Sequence, residues 1–174
     1  MAIYEFEGRV PDISDSSYVH ESATVIGEVE IGEECFIAPG ARIKGDYGTI
    51  KIGDKSNVQE NCVIHARPDE ETKIGDWVSI GHAAIIHGAT VNDYAVIGMG
   101  SVVSDDAEIG RWGVVGEGAV VKNGQEIPED SVAVGIPAKI IKKIGEEYKE
   151  KWMKMKENYS SFSHRYKNNL KRID

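Results

Sequence analysis

Aliphatic residues recur at every sixth position over most of this chain: Val19, Val25, Ile31, Ile37 and Ile43, then Ile52, Val58 and Ile64, then Ile74, Ile80 and Ile86. After one five-residue step the series resumes at Val91 and runs through Ile97, Val103, Ile109, Val115 and Val121 to Ile127. A small residue commonly follows four places later, as at Ala23, Cys35, Ala41, Ser56, Cys62, Ala84 and Ala119. This period matches neither the 3.6 residues of a helix nor the simple alternation of a half-buried strand. It is the signature of a hexapeptide solenoid, an all-β parallel β-helix in which three repeats close one triangular coil. The 18 inward aliphatics make about six coils.

The pattern divides the chain into an N-terminal cap (1–18), a β-helix (19–140) and a C-terminal helical extension (141–174). In the extension Trp152, Met155, Tyr159, Phe162 and Tyr166 recur at helical spacing, which predicts an amphipathic helix from Glu146, interrupted near Ser160-Ser161. Its apolar stripe is expected to pack along the solenoid or a neighbouring subunit. Its lysines (142, 143, 149, 151, 154 and 156) are expected to form a solvated face.

Two irregularities interrupt the period: an insertion around Lys44-Gly45-Asp46-Tyr47-Gly48, and the loop Ala66-Arg67-Pro68-Asp69-Glu70-Glu71. Loops on a rigid scaffold are where function concentrates. Counting faces with these insertions looped out places His65 and His87 directly after inward aliphatics on one face, one coil apart. Successive coils lie about 4.8 Å apart, so two such imidazoles can share one metal ion. Lys44 occupies the same column a coil earlier, with Asp46 beside it. Gln59, Glu60 and His82 fall on a different face, Glu60 and His82 in equivalent positions one coil apart. His82 therefore cannot easily join the other two histidines within one chain, but the matching face of a second subunit can deliver it. A metal site shared between subunits is expected, and His20 and His164 lie outside it.

Composition narrows the partners. A formal net charge of −9 argues against nucleic acid or an anionic membrane, which need a basic surface. No apolar stretch is long enough to span a membrane, and the start Met1-Ala2-Ile3-Tyr4-Glu5 carries no export signal; a cytoplasmic location is expected. Cys35 and Cys62 occupy small-residue slots on different faces, where cysteine acts as a small hydrophobe and a disulfide is not expected.

The segments Lys44-Gly45-Asp46-Tyr47-Gly48, Ser56-Asn57-Val58-Gln59-Glu60-Asn61, Ile64-His65 and Gly81-His82, followed by His87, resemble the motif series of γ-class carbonic anhydrases and their relatives. Ile97-Gly98-Met99-Gly100-Ser101-Val102-Val103 and Gly135-Ile136-Pro137-Ala138-Lys139 fit the same series, so the resemblance covers most of the chain through about residue 144. The tail, with Trp152, Tyr159 and Arg165, is similar to the subgroup encoded with phenylacetate-degradation and carnitine pathways.

The resemblance implies a left-handed β-helix and a homotrimer with Zn2+ (Fe2+ or Co2+ in some members) at each interface. His65 and His87 would come from one subunit and His82 from the next. It also implies catalytic roles for Gln59 and Glu60 and supporting roles for Lys44, Asp46 and Asn57. Two positions depart from the family pattern, which commonly has Arg in place of Lys44 and Asp in place of Glu60. Lysine is a point charge where arginine grips a carboxylate with two hydrogen bonds.

Three neutral imidazoles leave a fourth zinc position to water, whose pKa falls to about 7 on the metal. The expected reaction is reversible hydration of carbon dioxide, with Gln59 orienting the nucleophile and Glu60 or an acidic residue of the 69–71 loop taking the proton. The alternatives are a metal-dependent acyl-CoA thioesterase, a hexapeptide acyltransferase relying on one histidine as base, and a non-catalytic trimeric metal-binding scaffold.

Overall fold

The computed structural model describes residues 2–174. It shows a left-handed parallel β-solenoid of about seven turns with one C-terminal helix. The inward aliphatics stack into three columns. Val25, Ile43, Ile64, Ile86, Val103 and Val121 align down one face. Ile31, Ile52, Ile74, Val91, Ile109 and Ile127 align down the second. Val19, Ile37, Val58, Ile80, Ile97 and Val115 align down the third. Together with the small residues between them they form one continuous buried core. The solenoid has more turns than the aliphatic count suggests because the ladder extends beyond the regular repeats. Ala2–Tyr4 and Asp12–Ile13 both pair in parallel with Thr24–Ile31, inside the region expected to be only a cap. At the other end Ser131–Val134 adds a further strand.

The segment 44–48 is not a projecting loop. It lies within one eleven-residue strand, Arg42–Ile52, which turns a corner and pairs with Val63–His65 on one face and Glu71–Ile74 on the next. Glycine allows this: a Cβ at Gly48 would lie 2.2 Å from both the Arg67 and Glu70 carbonyl oxygens, and one at Gly45 only 2.3 Å from the Glu28 carbonyl oxygen. The second insertion does loop out, between His65 and Glu71, and folds over this strand, with the Asp69 amide donating to the Tyr47 carbonyl (3.1 Å).

After the solenoid, Lys139–Lys143 turns back antiparallel to Ser131–Val134. A single helix, Glu146–Asn169, then runs along the third face without the expected interruption. Ser160 and Ser163 are buried, and the Ser163 hydroxyl donates to the Ser160 carbonyl (2.8 Å), so serine here satisfies itself within the helix instead of breaking it. An aromatic cluster fastens the helix, with Phe36 meeting Phe162 and Tyr166 at ring-centroid distances of 5.4 and 4.9 Å. Both cysteines are buried and free, and burial pushes their thiols up to about 12 (Cys35) and about 11 (Cys62), consistent with packing roles.

Lys156 corrects the expectation of a solvated lysine face. It is fully buried, and its Nζ donates to the Trp77 carbonyl (2.7 Å), the Ala95 carbonyl (3.1 Å) and the Ser79 hydroxyl (3.2 Å). The Trp112 and Trp152 rings flank it, each 5.8 Å from Nζ. Among the described residues no carboxylate balances the charge, and burial lowers the Lys156 pKa from 10.5 to about 7. Between those values the unfolded chain binds the extra proton, so this group's contribution to stability rises with pH and is lost as pH falls toward 7. The urea midpoint of the wild type, measured against that of Lys156→Met, should therefore rise from about pH 7 to about pH 10; a pH-independent difference would contradict the lowered pKa.

Candidate metal centre

The ladder brings Lys44, His65 and His87 into register on one face, Lys44 opposite His65 and His65 opposite His87. His65 Nδ1 and His87 Nε2 face each other at 3.1 Å. The outer nitrogens are both engaged. His65 Nε2 lies 3.0 Å from Asp46 Oδ1, and His87 Nδ1 hydrogen-bonds Asp105 Oδ1. Lys44 Nζ pairs with the other Asp46 oxygen at 3.0 Å. Partial burial works to raise the Asp46 pKa, but hydrogen bonds from Lys44 and His65, and the Lys44 charge, hold it below the ordinary carboxylate range.

These contacts fix the tautomers. An ionised carboxylate only accepts, so each outer ring nitrogen must carry the proton, and a neutral imidazole then has a lone pair on its other nitrogen. His65 Nδ1 and His87 Nε2 thus direct lone pairs at each other, an arrangement that is repulsive unless a proton or a cation lies between them. Two nitrogens bound tetrahedrally at about 2.0–2.1 Å from zinc would lie about 3.3 Å apart, a few tenths from the observed spacing. Carboxylates behind the imidazoles are the usual support of metal-ligating histidines. The pair fits a divalent ion.

His82 lies on the third face, following the strand Ser79–Ile80. Its Nδ1 meets Glu60 Oε2 at 2.6 Å, which by the same logic leaves Nε2 as its free lone pair. Among the described residues, no three His, Cys, Asp or Glu side chains of one chain converge as a metal-binding group. Gln59 and Asn57 are buried on the same face as His82, and Gln59 Nε2 donates to Asn57 Oδ1 (3.0 Å). Lys44 and Glu60 do not meet within the chain: the one is bound to Asp46, the other to His82. In the acidic loop Glu70 pairs with Arg67 and Glu71 with Lys51. His20 bonds Ser22 (2.8 Å) away from this region.

Asp105 is the site residue that sequence reasoning missed. It stands two places after Val103, one coil beyond His87, so extending the face count by a single coil would have placed it.

No protein-family model matches the chain. The carnitine operon protein CaiE of Escherichia coli O157:H7 is 35% identical over 147 residues, 84% of this chain and 75% of CaiE. A crystal structure of a hexapeptide transferase family protein from Anaplasma phagocytophilum is 31% identical, covers 95% of this chain and 98% of that one, and superposes with a TM-score of 0.90. The chain belongs to the hexapeptide-repeat transferase family. A putative acetyltransferase of Bacillus cereus is also similar, at 34% identity and a TM-score of 0.95, with 97% of this chain and 98% of that one covered. Among the described residues no helix is long and apolar enough to cross a membrane.

The tautomer assignment is directly observable. In metal-free protein a long-range proton–nitrogen spectrum should show His87 held with its proton on Nδ1, and Asp105→Ala should convert it to a tautomer mixture. An unchanged His87 signature in Asp105→Ala would contradict the assignment.

Proposed function

We propose that His65 and His87 of one subunit and His82 of the next hold a divalent ion, zinc by ligand type with Fe2+ or Co2+ as alternatives, and that this centre hydrates carbon dioxide. The observation that carries the reading is the pair of ring nitrogens facing each other at 3.1 Å, each imidazole backed by a carboxylate, with a third carboxylate-backed imidazole on another face of the same solenoid. When bound, the ion makes a water nucleophilic near neutral pH. The chain supplies the rest. Asp46, Asp105 and Glu60 fix the imidazoles, and Gln59, anchored by Asn57, is positioned to orient the water or the substrate. Glu60, partly exposed beside His82, can pass the released proton to solvent.

The outward side chains support assembly by contact with the His65/His87 face. The second face carries the column Glu30, Lys51, Lys73, Thr90, Glu108 and Glu126, polar throughout and charged at all but Thr90, suited to water. The third is partly covered by the helix. The face of His65 and His87 instead presents Val63 and Ile85, 37% and 41% exposed and in register with each other. Seating this face against the His82 side of a neighbour is a head-to-tail contact, which forms a ring where the rotation closes; a homotrimer matches the three-sided solenoid.

A second reading is acyl transfer from a coenzyme A thioester. It is favoured by the Bacillus cereus relative, described as a putative acetyltransferase, and by the Glu60–His82 pair, which is also the arrangement of an oriented general base. His82 opens onto a groove of about 340 Å³ between the third face and the helix, bordered by Gln59, Met99, Trp152, Met155 and Tyr159.

One set of variants separates the two. If the centre is a metal hydratase, His65→Ala and His82→Ala should each lose bound metal, with carbon dioxide hydration falling about 100-fold or more. If His82 is an acyl-transfer base, His82→Ala alone should abolish acetyl-CoA turnover while His65→Ala keeps it. Stoichiometric metal without either activity would leave a structural metal site and overturn both readings.

A further inference from the structure

The buried ammonium of the C-terminal helix and the amide of Gln59 are two ends of one hydrogen-bonded chain. As an ammonium, the form that prevails below about pH 7, Lys156 Nζ has three hydrogens and three acceptors, two of them backbone carbonyls that can only accept and the third the Ser79 hydroxyl oxygen. The same Ser79 oxygen accepts from Asn57 Nδ2 (3.0 Å). Asn57 Nδ2 also points at the Val78 carbonyl (3.5 Å), which settles the rotation of the Asn57 amide, because the opposite rotation would set two oxygens against each other. Asn57 Oδ1 is thereby turned to receive Gln59 Nε2 (3.0 Å). Among the described residues Gln59 Oε1 has no protein partner, and Gln59 borders the groove beside His82. Lys156, Ser79 and Asn57 are all buried, with side chains 0–2% exposed, so water does not substitute for any link.

We propose that Lys156 is a positioning residue for Gln59, acting through Ser79 and Asn57, so that docking of the C-terminal helix sets the orientation of a polar group at the candidate site. The proposal takes from the preceding reading only that Gln59 faces the substrate. Removing the ammonium frees the Ser79 hydroxyl to rotate and to donate, and Asn57 and Gln59 then lose their single orientation.

The test is the side-chain amide signals of Asn57 and Gln59 in the metal-free full-length protein at about pH 6, below the Lys156 pKa of about 7, with the Gln59 pair assigned by its absence in Gln59→Glu. Lys156→Met and Ser79→Ala should each shift or broaden the Gln59 signals, and the double variant should add nothing further, since both cut one chain. A fall in Tm with unmoved Gln59 signals would show that Lys156 only holds the helix, and would overturn the proposal. If Lys156→Met fails to fold, Ser79→Ala decides alone: it leaves the aromatic contacts of the helix and the two Lys156–carbonyl bonds in place, and an unmoved Gln59 signal there is equally fatal. Shifted signals in a protein that proves inactive toward carbon dioxide and acyl-CoA would keep the proposal and reject the functional reading.

Discussion

The parallel backbone ladder that stacks one coil on the next places every side chain of the site. Its strands are about 4.8 Å apart, and its register is held by an aliphatic column that cannot slip without exposing itself. That constraint explains why His65 and His87 meet although a looped insertion separates them. Ile64 and Ile86 are locked in the core, fully buried, and each imidazole follows its anchor by one place. Lys44, behind Ile43, obeys the same rule. The site is thus held on the rigid part of the molecule, and the loop 66–70 only passes beside it.

The same ladder separates the histidines. His82 belongs to a different column, and no local adjustment carries a side chain around a corner of the triangle. Carboxylates compensate locally: Asp46, Asp105 and Glu60 each claim one ring nitrogen and leave the other as a lone pair. Polar groups that are half-satisfied in one chain and aimed outward are what a site completed by assembly requires. The apolar outward residues Val63 and Ile85, beside the His65/His87 pair, supply the adhesive surface such an assembly needs.

The helix adds a second layer of constraint. Lys156 puts a cation among tryptophans and backbone carbonyls with no counter-charge. Such burial is costly; three acceptors offset the cost in part, and the remainder lowers the Lys156 pKa to about 7. The aromatic contacts of Phe162 and Tyr166 with Phe36 carry the docking itself, leaving the lysine free to serve the network behind Gln59.

Much of this was legible in the sequence, because hexapeptide periodicity maps position directly onto face and coil. The three columns, the His65–His87 stack, the Glu60–His82 pair and the separation of His82 follow from counting. What counting did not give depends on contacts across elements. The 44–48 segment is a strand because two glycines let it pass against carbonyls. Ser160 and Ser163 stay helical by bonding within the helix and packing on the solenoid. Lys156 is buried because it finds three acceptors on another element, which no charge pattern along the helix reveals. Asp105 was within reach of the count and was lost one coil beyond its last histidine.

The central claim, that the site is built from two faces of different subunits, is tested most directly by subunit mixing. His65→Ala and His82→Ala chains, each unable to bind metal alone, would be unfolded together in equal amounts, reassembled with Zn2+ and assayed for bound metal. Random cyclic assembly joins an intact His65/His87 face to an intact His82 face at about a quarter of the interfaces, so about a quarter of the wild-type metal should return. No recovery in properly assembled mixtures, or full metal retention by either variant alone, would contradict the account.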